Sequence, residues 1–125
     1  MRRLDFDYSG EKLLFQQVAD QLSEGIFNGS FKEGTQIPST TEISKNYQIN
    51  PATVLKGMGI LVERGLLEKK RGRGMFVMAG AREKIRSIRK DEFLTKEVFQ
   101  LVSDAKKLDI SAEQLKNIID RGYKL

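Results

Sequence analysis

The chain has neither cysteine nor histidine among its 125 residues. That excludes disulfides, thiolate chemistry, most zinc sites and the commonest general base. No apolar run approaches the roughly 20 residues of a membrane span. The start, Met1-Arg2-Arg3-Leu4-Asp5, lacks the apolar stretch of a signal peptide. A cytoplasmic protein without membrane contact is expected. Asp5, Asp7 and Glu11 lie in a lead-in that reads as flexible, with no paired partner evident. Gly72-Arg-Gly74 lacks the third glycine of a nucleotide fingerprint, and there is no P-loop. No catalytic residue, metal site or cofactor is expected, and the chain does not read as an enzyme.

What is present is charge. The net charge is +5, with 39% hydrophobic residues, enough for an ordinary core and unlike a disordered chain. The excess is concentrated. Residues 63–90 hold ten Lys or Arg against three Glu, a local +7, so the remainder is slightly acidic. Such a stretch is the footprint of a polyanion partner, although a solvated basic surface is its commoner meaning.

Hydrophobic spacing places the elements. Phe15, Val18, Ala19, Leu22 and Ile26 form one helical face, closed by Asn28-Gly29. The segment from Phe31 through Gly34 to Pro38 reads as a loop. Ser39-Thr-Thr-Glu42 is a capping box that opens a second helix over residues 40–47, burying Ile43 and Tyr47. Gln48-Ile49 is a tight turn. Asn50 caps a third helix with Pro51 at its first position. That helix runs to about Arg64, stops at Gly65 and buries Val54, Met58, Leu61 and Val62. Gly57 and Gly59 inside it each cost about 1 kcal/mol against alanine. Gly57 suits close packing; Gly59 has no evident reason. Residues 66–70 and 75–78 read as two strands around the Arg71-Gly-Arg-Gly74 turn. Residues 81 to about 107 contain no Gly or Pro, and their helix would span about 40 Å. Leu94, Val98, Leu101, Ala105 and Leu108 repeat at intervals of 4, 3, 4 and 3, a coiled-coil-like seam. Asp109-Ile110 breaks it. A second capping box, Ser111-Ala-Glu-Gln114, opens a last helix carrying Leu115, Ile118 and Ile119 and ending near Gly122.

Two short helices, a tight turn and a hairpin make a winged helix-turn-helix. The expected fold is mostly α with a small β-hairpin. Residues 1–79 form the DNA-binding domain and residues 80–125 a short two-helix dimerisation tail. In this architecture the second helix of the pair enters the major groove, which directs Asn50, Ala52, Thr53 and Lys56 toward DNA, Lys56 at a phosphate. Ser39, Thr40 and Thr41 open the preceding helix, whose free N–H groups suit a phosphate. The wing carries Lys69, Lys70, Arg71 and Arg73 around Gly72, and a narrow minor groove favours arginine. A capping box ordinarily does no more than cap a helix. Four parts in the right order and spacing carry the reading.

Five blocks then resemble the GntR-family DNA-binding domain in sequence and order. They are Phe15-Gln-Gln-Val-Ala-Asp-Gln-Leu, Ile26-Phe-Asn-Gly29, Gly34-Thr-Gln-Ile-Pro-Ser39, Ile49-Asn-Pro-Ala-Thr-Val54 and Gly72-Arg-Gly-Met-Phe-Val77. The Asn-Pro-x-Thr-Val block and short tail resemble the YtrA subfamily. The resemblance implies a bacterial regulator, usually a repressor, often of an ABC-transporter or envelope-stress operon. It implies a small helical dimerisation unit in place of a large effector domain. Many members carry arginine at the positions of Thr41, Pro51 and Leu55, so those contacts do not transfer. Alanine is usual at the position of Gly57.

The expected mechanism is a homodimer on a pseudo-palindromic double-stranded operator, repressing by occlusion. An unidentified small-molecule effector would act between the two parts or at the dimer interface. The alternative is a nonspecific or architectural DNA-binding protein.

Overall fold

Val18, Ala19, Leu22 and Ile26 form the buried stripe of helix α1 (Leu14–Phe27) in the computed structural model, which describes residues 4–125. Residues 1–3, the start of the segment read for a targeting signal, lie outside the described residues. Helix α2 (Thr40–Tyr47) opens on the expected capping box: Ser39 Oγ accepts from the Glu42 N–H at 3.0 Å, and Glu42 Oε1 accepts from the Ser39 N–H at 3.2 Å. Helix α3 (Pro51–Glu63) begins at Asn50, whose Oδ1 accepts from the Ala52 N–H at 2.8 Å. Val54, Met58 and Leu61 have no exposure. Two expectations need correction. Val62 is 37% exposed, and Gly57 occupies the buried face beside Val54 and Met58. Tyr47 is only half-buried, packed on the rim of the core.

The reason for Gly57 is contact. A Cβ there would stand 2.7 Å from both the Phe15 carbonyl oxygen and Val18. The two helices approach more closely than alanine permits. At Gly59 a Cβ would meet nothing within 4 Å.

Strands β1 (Leu67–Lys70) and β2 (Gly74–Val77) pair antiparallel, Leu67 opposite Val77 and Lys70 opposite Gly74. The segment read as a loop contributes a third strand-like edge. The Val77 N–H donates to the Thr35 carbonyl at 3.0 Å, the Ile37 N–H to the Met75 carbonyl at 3.0 Å, and the Gly34 N–H to the Val77 carbonyl at 2.8 Å. These bonds satisfy backbone groups that the two-stranded hairpin leaves open.

The lead-in is not the flexible tail expected. Leu4 is buried and its N–H donates to Tyr47 Oη at 2.9 Å. Phe6 meets the Tyr47 ring edge-on at 5.2 Å between centroids. The Asp7 N–H donates to Gln17 Oε1 at 2.8 Å. Leu4 and Phe6 alternate with Asp5 and Asp7, the period of an extended chain with one face buried.

Helix α4 (Ala81–Glu92) starts just after Gly80, which has no side chain to cap it. Glu33 does so from another segment. Its Oε1 accepts from the Gly80 N–H at 2.8 Å and its Oε2 from the Arg82 N–H at 3.2 Å. Arg82 Nε in turn donates to the Phe27 carbonyl at 2.8 Å. Ala81 and Ile85 thereby join the core around Leu22 and Leu61.

The chain divides into two compact units, one ending at Ser87 and the other Ile88–Leu125. In the second, a π-helical turn (Phe93–Glu97) precedes α5 (Val98–Lys107), and α6 (Ala112–Tyr123) follows. The uninterrupted α-helix expected to about residue 107 is therefore corrected. The Val98 N–H reaches back five residues to the Phe93 carbonyl, while Thr95 Oγ1 donates to the Asp91 carbonyl at 2.7 Å. A hydroxyl bonding back into the ladder is a recognised disturbance of a helix. After α5, Asp109 takes a left-handed φ of 56°. The Ile110 N–H bonds the Ala105 carbonyl at 2.9 Å and the Asp109 N–H bonds Lys106 at 3.3 Å. That is a Schellman ending built on aspartate. No helix among the described residues is long and apolar enough to cross a membrane.

Two substitutions in one helix should move stability in opposite directions. Gly57→Ala gains helix propensity but forces Phe15 backbone apart from α3, a net loss of about 1–2 kcal/mol. Gly59→Ala meets no obstacle and should gain about 0.5–1 kcal/mol. Urea unfolding of both variants checks the signs.

The Gly80 N–H foremost, and the Arg82 N–H next, hold the Glu33 carboxyl below its ordinary 4.5. A lowered folded value gives stability that is present above the unfolded value and lost as pH falls through the folded one. Protection of the first α4 amides should therefore decline under acid conditions. Glu33→Gln should lower that protection at neutral pH and flatten its acid dependence, as read by amide hydrogen exchange.

Candidate nucleic-acid interface

The turn between α2 and α3 is short because Gln48 adopts a left-handed φ of 52° and ends α2 at once. Ser44 Oγ donates to the Ile49 carbonyl at 2.7 Å, and Ile49 is buried. The two helices are thus locked by one apolar side chain and one hydroxyl. With Val54, Gly57, Met58 and Leu61 inward, the outward positions of α3 are Ala52, Leu55, Lys56 and Gly59, all exposed.

Residues expected to touch DNA fall into distinct settings. Ala52 is exposed on the first turn of α3, and Thr53 is half-buried on its flank. Asn50 is exposed, but its Oδ1 is engaged by the Ala52 N–H. Lys56 lays its ammonium over the Phe15 ring, 4.0 Å from the centroid. Such a contact is worth about 0.5–1 kcal/mol at an exposed site, so a phosphate must compete with it or share it. On α2, Ser39 is occupied by its capping box, and Thr40 Oγ1 turns inward to Met58 Sδ at 3.4 Å. Thr41 is exposed.

The wing tip carries Lys69, Arg71, Gly72 and Arg73 exposed, with Lys70 half-buried. Gly72 sits at φ +73° and Gly74 at +116°, conformations a side chain would resist. The Arg73 N–H closes the turn onto the Lys70 carbonyl at 2.8 Å. Two residues not expected from the sequence organise it. Phe76 lies beneath Lys70 Nζ at 4.5 Å and the Arg73 guanidinium at 5.2 Å from its centroid. Gln36 Nε2 donates to the Arg73 carbonyl at 2.6 Å. A period-2 reading of residues 34–37 against β2 was the only available signal for Gln36.

Residues 14–77 match the family described as "Bacterial regulatory proteins, gntR family". The chain belongs to the GntR family. The mannosyl-D-glycerate transport/metabolism system repressor MngR of Escherichia coli (strain K12) is 30% identical over 79% of this chain, which spans 36% of that repressor. The HTH-type transcriptional repressor YtrA of Bacillus subtilis (strain 168) is 28% identical over 82% of this chain and 78% of its own. A putative GntR-family regulator from Bacteroides thetaiotaomicron has a crystal structure that aligns with a TM-score of 0.72 at 29% identity. It covers 90% of this chain and 97% of its own. The DNA-binding domain of AraR, solved in complex with operator ORR3, aligns with a TM-score of 0.50 at 28% identity. That match covers 60% of this chain and 94% of the AraR domain. The mostly helical fold with its antiparallel hairpin is the winged helix-turn-helix of these GntR structures. The family and the relatives named here are DNA-binding transcriptional regulators and not enzymes.

Gln36 and Arg71 should separate wing geometry from wing charge. Gln36→Ala keeps every cation, so DNA affinity should fall about three- to tenfold with an unchanged salt slope. Arg71→Ala should weaken binding and reduce the slope of log affinity against log salt by about 1. Fluorescence anisotropy across a salt series gives both numbers.

Proposed function

We propose that this GntR-family chain is a sequence-specific repressor that binds a pseudo-palindromic operator as a homodimer. The observation that carries the DNA reading is the outward face of α3, capped at Asn50 and left uncovered by the rest of its unit. Bases would be approached from the start of α3, through Asn50, Ala52 and Thr53, with Lys56 directed at a phosphate. Thr41 and the α2 N-terminus would meet phosphates, with Ser39 and Thr40 shaping that end. Lys69, Lys70, Arg71 and Arg73 would follow the backbone or minor groove. The AraR domain bound to its operator supports this mode, as does the repressor role of MngR and YtrA.

The homodimer rests on the second unit. Among its seam residues only Ala105 is buried, at 4% exposure, while Leu108 is 70% exposed. Leu94, Leu101, Ile118 and Ile119 are also exposed, and Val98 and Leu115 half-buried. Large apolar side chains exposed at these spacings on one unit suit a protein–protein contact. A second copy is the occupant a two-fold operator would require. An ABC-transporter or envelope-stress operon would be the first candidate target, on the resemblance of the Asn-Pro-x-Thr-Val block and short tail to the YtrA subfamily. Occlusion of the promoter is the simplest repression mechanism.

Selection from a random DNA pool should return an inverted repeat bound at least roughly 10³-fold more tightly than random duplex. Equal affinity for both would replace this reading with an architectural binder. Light scattering should give twice the chain mass at micromolar concentration. Ile118→Lys should give a folded monomer with operator affinity at least about a hundredfold weaker. A strict monomer in the wild type would remove the dimer.

A further inference from the structure

Leu55 is 51% exposed on the outward face of α3 and belongs to no core cluster. A helical side chain leans toward the helix N-terminus, so Leu55 covers the surface above Pro51 and Ala52. That is the turn nearest the base edges when such a helix lies in a major groove. Pro51 and Ala52 are exposed and bring no hydrogen-bonding side chain. Two nearby polar groups are engaged within the protein, Asn50 Oδ1 by the Ala52 N–H and the Lys56 ammonium by the Phe15 ring, and Thr53 is half-buried on the flank. One turn onward, a side chain at position 59 would lean back across Leu55 and Lys56. Gly59 leaves that space open, with no atom within 4 Å of a would-be Cβ. Between Asn50 and Gly59 the exposed centre of the helix face is therefore largely hydrocarbon, built around one leucine.

The major-groove edge of B-DNA carries one hydrocarbon group, the C5-methyl of thymine. We propose that Leu55 is a specificity-determining residue that recognises thymine, packing on the C5-methyl of one thymine in each half-site. The inference rests on α3 being the DNA-reading helix. It adds the base that is read and the force that reads it: exclusion of water between two apolar groups, without a hydrogen bond. An isolated exposed leucine ordinarily means nothing. This one stands at the centre of the surface that must approach the base edges, between an alanine and a glycine that do not mask it.

The test removes the methyl from the DNA and leaves the protein whole. In the operator returned by selection, each thymine is replaced singly by deoxyuridine, and affinity for the full-length chain is measured by competition. At one thymine in each half-site, the loss should be roughly fourfold, the worth of one buried methyl group. In Leu55→Ala, folded by circular dichroism and still binding, the same replacement should change affinity by less than about twofold. No thymine whose methyl matters in the wild type would overturn the proposal and leave the regulator reading intact. So would a methyl effect that survives in Leu55→Ala. A selection that returns no preferred sequence would instead overturn the regulator reading, and this proposal with it.

Discussion

At Gly57 the backbone of α3 lies so close to α1 that one added methyl would press on the Phe15 carbonyl and on Val18. The rest of the first unit follows from that approach. Val54, Met58 and Leu61 reach full burial beside Val18, Leu22 and Ile26. Turning those residues inward turns Ala52, Leu55, Lys56 and Gly59 outward. The angle at which α3 presents its outer face is thus set by a backbone contact, which side-chain repacking cannot retune. Gly65, at φ +75°, then ends α3 and leads into β1. The wing is accordingly tied to the same helix.

What was legible in the sequence was local chemistry. Helix α2 has the bounds expected from Ser39 and Glu42, because a capping box acts within four residues. The start of α3 at Asn50-Pro51 and the hairpin around Gly72 were visible for the same reason. Distant pairing was not visible. Residues 34–38 carry Gly and Pro punctuation, yet residues 34–37 bond to β2 some forty residues later. Glu33 caps a helix 47 residues away, and no local pattern announces it. Val62 was misplaced because position 57, a glycine, carries no hydrophobic signal although its face is buried. The π turn at Phe93 left no mark in the 4-3-4-3 spacing, which tolerates a wider turn between Leu94 and Val98. For the candidate interface, the basic tip was evident from composition. Phe76 and Gln36 were not, since their role depends on which residues the sheet places beside them.

The two units bury their apolar residues differently. The first hides a contiguous core from Leu4 to Ile85. The second leaves Phe93, Phe99, Leu101 and Leu108 exposed. In the homodimer proposed above, these groups would be covered by the second copy, which would add stability that folding of one copy does not supply. In a regulator of this family, recognition strength and protein concentration would then be coupled, with no separate sensing domain needed for a steep response.

The wing makes its own arrangement before any partner arrives. Phe76 holds two cations over one ring, Gln36 holds the Arg73 carbonyl, and the turn is closed at Lys70. Loose arginine-rich loops surrender their conformational freedom at the moment of binding; this one has surrendered much of it during folding. The consequence is kinetic as well as energetic. In the DNA contact proposed for the wing, an ordered tip would have little to rearrange on meeting a phosphate backbone, so most correctly oriented encounters could proceed directly to the bound state.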